Sequence, residues 1–139
     1  MIAADTSTWI AFLQEGVGQD RSSEDTSLLD RALSDQQVVM VPAVLTELLS
    51  DPNLAVGVAK ALADLPILDV EPGYWQRAGL LRARVLSKRR KARLGDTLIA
   101  QSCIDHGIPL VTRDDDFRAF AAAAGLNLVL GFGSAESSH

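Results

Sequence analysis

Four short apolar runs, each bordered by a proline or a glycine, limit the folds that are open to this chain. They are residues 38–41, 67–70, 110–112 and 126–130, with Pro42, Pro66, Pro109 and Gly125 at their borders. Apolar runs of this length between such residues are typical of buried strands. Residues 2–4 add a fifth candidate, and helical patterning separates the runs. Alternating strands and helices predict an α/β fold in three layers, with a central parallel sheet of about four to five strands flanked by helices.

The ends of the helices can be placed from capping residues, prolines and glycines. Thr6 or Ser7 is the expected N-cap of a first helix that stops at Gly16, and Pro42 is expected to open a helix that runs through Leu49. Further helices are predicted over about residues 26–34, from a cap at Asp51 or Asn53 to about Asp64, from about Pro72 to Lys88, from Asp96 to Gly107, and over residues 115–124. Each predicted strand is therefore separated from the next by at least one helix.

Length and composition predict one soluble domain. At roughly 100–200 residues per domain, the 139 residues correspond to a single unit, which we place at residues 1–132 with a frayed tail at 133–139. The single cysteine, Cys103, lies in an apolar segment and cannot form an internal disulfide. No apolar run is long enough for a signal peptide or a membrane helix. These features predict a cytoplasmic protein.

Four acidic residues are expected at one end of the predicted sheet. Asp5 directly follows the first strand, and Asp114 lies two residues beyond a later one. Asp96 begins the helix ahead of that later strand, and Glu47 lies about one turn into the helix after the second strand. Singly, each has a structural interpretation as a helix cap, a turn residue or an exposed helix residue. Because ligands of open parallel sheets bind outside the carboxyl ends of the strands, the joint placement favours a functional site.

A cluster of carboxylates predicts a divalent cation. Carboxylates a few ångströms apart repel one another, and a cation removes that conflict. Magnesium and manganese prefer oxygen ligands, whereas zinc would call for histidine or cysteine. His106 and His139 are the only histidines, and neither has a partner at ligand spacing. The sequence therefore predicts Mg²⁺ or Mn²⁺ rather than zinc.

Four segments resemble the motifs of PIN domains in order and spacing. They are DTS at residues 5–7, PAVLTEL at 42–48, GDTLIA at 95–100 and LVTRDDDF at 110–117. The closest likeness is to the VapC ribonuclease toxins of bacterial and archaeal toxin–antitoxin pairs. No single motif is specific, but the four in sequence are, and the resemblance spans about residues 2–130.

The resemblance implies a four-carboxylate pocket that binds one or two Mg²⁺ or Mn²⁺ ions and hydrolyses RNA phosphodiester bonds with activated water. Such ions orient the water and neutralise charge on the phosphate, so no covalent nucleophile is needed. Asp116 also matches an acidic position of the last motif, which leaves open whether Asp114 or Asp116 is the fourth metal ligand. The positions that match are Asp5, Glu47, Asp96 and Asp114 for catalysis, and Asp5, Asp96, Asp114 and Asp116 for metal binding.

Hydroxyl and basic side chains complete the predicted site. Thr6, Ser7 and Thr112 match polar positions that orient carboxylates or a metal-bound water in the family, with helix-cap and turn roles as the alternative. A basic run precedes Asp96 in a chain whose net charge is −5, so any nucleic-acid contact must be local. Its members could bind substrate phosphates, or they could form a solvated helix face and loop. The candidate substrate-binding residues are Arg82, Lys88, Arg89, Arg90, Arg93 and, as a weaker candidate, Arg113.

The resemblance further implies an RNA substrate, a homodimer and a cognate antitoxin whose tail occupies the groove beside the acids. Trp9, Phe12 and Trp75 are expected to pack in the core or at a subunit contact rather than to stack on bases. The main alternative is a non-catalytic PIN-like module that binds RNA or protein. A receiver domain is disfavoured because Asp5 has no adjacent acid, and a nucleotide-binding Rossmann domain because no glycine-rich loop follows the first strand. A DNase remains open as an alternative hydrolase.

Overall fold

Three parallel strands form the central sheet in the part of the chain that the structure describes. The computed structural model of the chain describes residues 1–16 and 23–130. In the part described, the strands lie in the order β1 (Ala3–Ala4), β2 (Leu110–Thr112) and β3 (Leu128–Leu130), and both neighbouring pairs are parallel. The middle strand comes from late in the chain, so it joins the N-terminal strand to the C-terminal one.

Two extended segments continue the sheet beyond β1 through single parallel bridges. Val38 pairs with Ile2, and Met40 pairs with Ile67. Both segments were predicted as strands, so the predicted parallel α/β arrangement is confirmed, although only three strands are regular among the described residues. Neither segment extends into a full strand, because Pro42 begins a helix just after Met40 and Pro66, with no N–H, precedes Ile67.

Helices connect the strands and flank the sheet. Their ends agree with the predicted helices to within about three residues at most positions, as expected for boundaries of this kind. The described helices are α1 (Thr6–Glu15), α2 (Glu24–Ser34), α3 (Pro42–Leu49), α4 (Val56–Ala63), α5 (Tyr74–Ser87), α6 (Leu94–His106) and α7 (Arg118–Ala124), and a 3₁₀ turn (Asp115–Phe117) leads into α7.

The start of α1 differs from the prediction in a way that matters for the site. Asp5, and not Thr6 or Ser7, is the N-cap, and its carboxylate accepts a hydrogen bond from the Thr8 amide. The end at Gly16 is as predicted, with a positive φ of 81° that favours glycine. Because Asp5 caps the helix, the first predicted acid is fixed to the junction between β1 and α1.

The start of α4 was predicted wrongly. The helix begins at Val56 after Ala55, and no side chain caps it. Asp51, one of the two predicted caps, instead accepts a hydrogen bond from the Asn53 amide at 2.9 Å within the preceding turn. A short aspartate favours such local turns as readily as helix caps, and the sequence signal for the two is the same.

A single hydrophobic core runs through the described residues. Both β1 and β2 are buried along their whole length, as expected for parallel strands covered on two faces. Trp9, Phe117 and Phe120 are among the largest fully buried side chains, and Cys103 is buried in the same cluster. The single domain at residues 1–132 stays a prediction, and the predicted tail at 133–139 lies outside the described residues. No helix in the described ranges is both long and apolar enough to cross a membrane.

Candidate active site

Two of the predicted acids lie at the carboxyl ends of neighbouring parallel strands. Asp5 follows β1, and Asp114 lies two residues after β2, the strand hydrogen-bonded to it. Asp96 lies in the first turn of α6. These elements meet because β1 and β2 run in the same direction, so residues that follow them leave the sheet at one edge.

Three carboxylates form a close group at this edge. Ligand oxygens of Asp96, Asp114 and Asp116 all lie within 4.8 Å of one another, and each of the three residues is partly buried. The sequence left open whether Asp114 or Asp116 completes the site. In the structure both belong to the group.

Asp5 is buried beside this group and is held by three hydrogen-bond donors. Its Oδ2 accepts hydrogen bonds from the Ser7 hydroxyl at 2.8 Å and the Thr112 hydroxyl at 2.7 Å, and its Oδ1 accepts one from the Thr8 amide at 3.0 Å. Burial raises the pKa of Asp5, and these hydrogen bonds oppose the rise. Two of the three predicted hydroxyl residues, Ser7 and Thr112, therefore contact the first acid directly.

Thr112 also fixes the backbone that carries the next acids. While its hydroxyl donates to Asp5, the same oxygen accepts a hydrogen bond from the Asp114 amide at 2.9 Å. The Asp116 amide in turn donates to Asp114 Oδ1 at 2.9 Å. One threonine thus connects the acid after β1 to the acids after β2.

Glu47 approaches the group from α3 and is exposed to solvent. The Thr6 hydroxyl donates a hydrogen bond to Glu47 Oε1 at 2.5 Å. A Cβ added to Gly95 would lie 3.5 Å from Glu47 Oε2, so the Glu47 carboxylate is beside the residue that precedes Asp96. Thr6, the third predicted hydroxyl residue, therefore contacts Glu47, the exposed member of the four predicted catalytic acids.

The electrostatics of the group are concentrated on Asp96. Its pKa is raised to about 6, first by burial and then by the negative charges of Asp114, Asp5 and Glu47, while Arg93 lowers it. The other three predicted catalytic acids are therefore each close enough to act on Asp96. Repulsion of this kind is relieved by a cation, and a set of carboxylate oxygens with no histidine or cysteine fits Mg²⁺ or Mn²⁺.

The basic residues divide into those that turn inward and those that remain in solvent. Arg82 donates from Nε to the Ala92 carbonyl at 2.8 Å, so it supports the loop between α5 and α6. Lys88, Arg89, Arg90 and Arg93 are exposed. Lys91, which follows Arg90, was not among the candidate substrate residues. Its Nζ lies 3.3 Å from Asp116 Oδ2.

Arg113 differs most from its predicted role. Its guanidinium donates to both carboxylate oxygens of Asp25, from Nε at 2.8 Å and from Nη2 at 3.1 Å. A guanidinium held in this way has an internal partner, in contrast to the free phosphate contact expected from the sequence. Asp25 was not predicted at all, although it lies four residues before the buried Leu29, on the buried stripe of α2. An acid on such a stripe indicates an internal cation.

Comparison with known proteins gives the family. Residues 2–123 match the family described as PIN domain. The chain is 29% identical to VapC ribonuclease Mb1587 of Mycobacterium bovis over 131 residues. The matched region covers 91% of this chain and 96% of that protein. The described structure is similar to VapBC-5, a member of the VapBC family of toxin-antitoxin systems from Mycobacterium tuberculosis, with a TM-score of 0.63, 24% identity and coverage of 93% and 97%.

A second solved structure extends the likeness of fold. DNA-bound VapBC from Salmonella typhimurium has a TM-score of 0.69 at 19% identity and covers 93% of this chain and 98% of that one. The likeness to VapC proteins expected from the four motifs is thereby confirmed, and the family match spans most of the chain. The protein belongs to the PIN-domain family.

Proposed function

We propose that the protein is a metal-dependent endoribonuclease that hydrolyses RNA phosphodiester bonds, and that it is the toxin of a toxin–antitoxin pair in the cytoplasm. The observation that carries the proposal is the convergence of Asp5, Glu47, Asp96 and Asp114 at one sheet edge, with the pKa of Asp96 raised to about 6. The names of the similar proteins, VapC ribonucleases, support RNA as the substrate.

The proposed roles follow from burial and contacts. Asp96, Asp114, Asp116 and Asp5 would hold Mg²⁺ or Mn²⁺, since the first three offer oxygens within 4.8 Å of one another. The ion, when bound, would lower the pKa of a water, orient it and neutralise charge on the phosphate oxygens. Glu47 is exposed and anchored by Thr6, so it can accept a proton from a water at the rim of the site.

The loop between α5 and α6 supplies the proposed contacts to the substrate backbone. Lys88, Arg89, Arg90 and Arg93 are exposed there, and the Lys91 contact with Asp116 places the loop beside the acids. Phosphates bound by such residues release counterions, so the binding weakens as salt rises. Arg82 and Arg113 have internal partners, and we therefore assign phosphate binding to the exposed residues.

An apolar groove is the proposed docking surface for an antitoxin. It has a volume of about 290 Å³ and lies between α1, α2 and α4. Leu13 lines both this groove and a neighbouring pocket that reaches Glu47. A partner segment could thus follow α1 toward the acids and insert a basic side chain among them. The groove is lined by Trp9, Phe12, Leu13, Leu33, Val58 and Leu62, among others.

The antitoxin proposal can be tested with a single exposed substitution. Ala61 lines the groove and is exposed, so Ala61→Glu should leave the fold intact while placing a charge on the apolar surface. We expect a small companion protein from the native host to copurify with the wild type and to suppress its cleavage of RNA, and to do neither with the variant. Equal suppression of both proteins would contradict this surface.

A second apolar surface is proposed for homodimer formation. Trp75 is 64% exposed and Leu94 is 61% exposed, and with Val70 they border a cavity of about 320 Å³ that also reaches Glu47. Contiguous exposed apolar residues of this kind mark interaction sites. Trp75→Glu should convert the dimer to a monomer in sedimentation experiments. A wild type that is monomeric at all concentrations would remove the basis for this part of the proposal.

Cleavage of mixed cellular RNA by purified protein tests the central proposal. Wild type, Asp96→Asn and the control Asp64→Asn should be compared in Mg²⁺, in Mn²⁺ and in EDTA, with folding matched by circular dichroism. Asp64 is an exposed acid on the surface, paired with Lys60. We expect cleavage by the wild type and the control in metal only, and none by Asp96→Asn. If all three proteins are folded and equally inert, a non-catalytic binding module replaces the proposal. If the wild type instead cleaves single-stranded DNA in preference to RNA, the protein is a DNase.

A further inference from the structure

A fully buried carboxylate lies outside the proposed catalytic group and has no role in the chemistry described so far. Asp25, in the first turn of α2, has a side-chain exposure of 0%. Arg113 and Thr8 donate hydrogen bonds to it: Arg113 Nε at 2.8 Å and Thr8 Oγ1 at 2.9 Å reach Oδ2, and Arg113 Nη2 at 3.1 Å reaches Oδ1. Arg113 lowers the pKa of Asp25 against the effect of burial, so the carboxylate is held in its charged form.

Each partner of Asp25 also belongs to a segment that carries a proposed metal ligand. Arg113 lies between Thr112 and Asp114, directly after β2. Thr8 donates its amide to Asp5 Oδ1 at 3.0 Å while its hydroxyl donates to Asp25. Asp25 is therefore hydrogen-bonded to the chain segment that carries Asp5 and to the one that carries Asp114 and Asp116.

Ser23 strengthens the attachment on the side of α2. Its hydroxyl accepts a hydrogen bond from Arg113 Nη2 at 3.0 Å, and Ser23 is the N-cap residue of α2. Arg113 is thus held by the N-cap residue of α2 and by an acid in its first turn. The acid at the start of a helix is favourable to the helix dipole as well, so the bridge also stabilises the end of α2 to which it is attached.

We propose that Asp25 and Arg113 are positioning residues, which fix the Asp114–Asp116 segment relative to Asp5 so that the carboxylates are held in place for a cation. That these carboxylates bind a cation rests on the proposed function. That Asp25 and Arg113 hold the segment rests on the structure alone. The pairing itself joins residues 88 positions apart, and it ties α2 to the loop after β2. Residues that orient metal ligands from behind typically change metal affinity by roughly 10- to 100-fold when they are removed.

The chain contains a matched ion pair for comparison. Arg77 binds Asp105 in the same two-pronged way, from Nε at 3.1 Å and from Nη2 at 2.5 Å, and the Asp105 side chain is 8% exposed. This pair joins α5 to α6 and contacts none of the proposed catalytic acids. Arg77→Gln should therefore reproduce the loss of a buried ion pair without disturbing the loop after β2.

The first test measures the order of the loop in the metal-free protein. Both the Asp114 and the Asp116 amides donate hydrogen bonds, so their hydrogen exchange reports how often the loop opens. We expect Asp25→Asn to speed exchange at these two amides by on the order of tenfold relative to Arg77→Gln at equal global stability. The double variant Asp25→Asn with Arg113→Gln should recover stability by removing the unpaired charge, yet keep the fast exchange. Equal exchange at both amides in Asp25→Asn and Arg77→Gln would overturn the proposal.

The second test measures the affinity for Mn²⁺ from the free-ion signal in electron paramagnetic resonance. Binding should weaken by roughly tenfold or more in Asp25→Asn, less in Arg113→Lys, and not in Arg77→Gln. Unchanged Mn²⁺ affinity in Asp25→Asn would contradict the proposed positioning. A wild type that binds no Mn²⁺ at all would instead refute the proposed metal site, and the exchange measurement would still decide whether the bridge orders the loop.

Discussion

Replacing Asp96 with asparagine should make the metal-free protein more stable, although it removes a residue that the proposed function requires. The pKa of Asp96 rises from 3.8 to about 6 on folding, because burial and the neighbouring carboxylates disfavour its charge. At about 1.36 kcal/mol per pKa unit, this corresponds to about 3 kcal/mol of folding free energy lost when the group is ionised. Solvent reaches part of the side chain, and a negative charge in the first turn of α6 contributes about 0.3–1 kcal/mol in the opposite direction. We expect a net gain of about 1–2 kcal/mol for Asp96→Asn at neutral pH.

The stability difference between the wild type and Asp96→Asn should depend on pH in a defined direction. Below pH 3.8 the Asp96 carboxyl is protonated in the folded and the unfolded chain, so the wild type carries no penalty there. Between 3.8 and about 6 the unfolded chain releases the proton and the folded one retains it, so the stability of the wild type falls as the pH rises. Above about 6 the penalty is complete, and the advantage of Asp96→Asn over the wild type is largest.

Urea unfolding in EDTA, followed by circular dichroism at about pH 4 and about pH 8, measures this difference. Asp64→Asn is the control, because Asp64 is an exposed acid that should change little at either pH. Adding Mn²⁺ at about 100 times its dissociation constant should stabilise the wild type by about 2.7 kcal/mol and reverse the order of the two proteins. If Asp96→Asn is no more stable than the wild type at pH 8 in EDTA, or gains equally at both pH values, the described repulsion does not exist.

Three further predictions concern other parts of the molecule. Glu47→Gln should reduce RNA cleavage by roughly 100-fold while leaving the melting temperature nearly unchanged, since Glu47 is exposed; a folded variant with full activity would remove Glu47 from the mechanism. Changing Lys88, Arg89 and Arg90 together to glutamine should weaken RNA binding, and the slope of log affinity against log salt concentration should fall by the equivalent of about three phosphate contacts. Fluorescence anisotropy measures this slope, and an unchanged slope would show that these residues do not contact the RNA. Burial raises the pKa of the Cys103 thiol to about 12, so iodoacetamide should modify it only in denaturant; mass spectrometry that finds labelling of the native protein would contradict this burial.

The central sheet could be predicted because its signal is local. Runs of apolar residues bounded by Pro109 and Gly125 indicate β2 and β3, and Pro42 begins α3 where the sequence placed it. The outer segments at residues 38–41 and 67–70 carry the same pattern, yet they pair only through two isolated bridges, Val38 with Ile2 and Met40 with Ile67. Pro42 and Pro66 limit these two segments, but apolar patterning alone does not give the number of residues over which two segments pair.

The positions of the acids could be predicted for a similar reason. The ion pair between Asp25 and Arg113 behind them could not. Asp5 and Asp114 follow strands, so the rule for parallel sheets brings them together without any further information. Arg113 was expected to bind phosphate because it lies beside Asp114 in the sequence. Its partner Asp25 lies on another helix, and only the folded chain brings the two within hydrogen-bond distance. Long-range pairs of this kind are invisible to local pattern, although an acid on a buried stripe is a reason to search for one.

Asp5 has a restricted capacity to bind anything further. An ionised carboxylate offers about four lone pairs, and Ser7, Thr8 and Thr112 occupy three of those on Asp5. A cation can therefore take a single bond from this residue, along the one direction that remains. Asp5 would act as a fixed reference point for the ion, because burial and three hydrogen bonds leave its carboxylate little freedom to move.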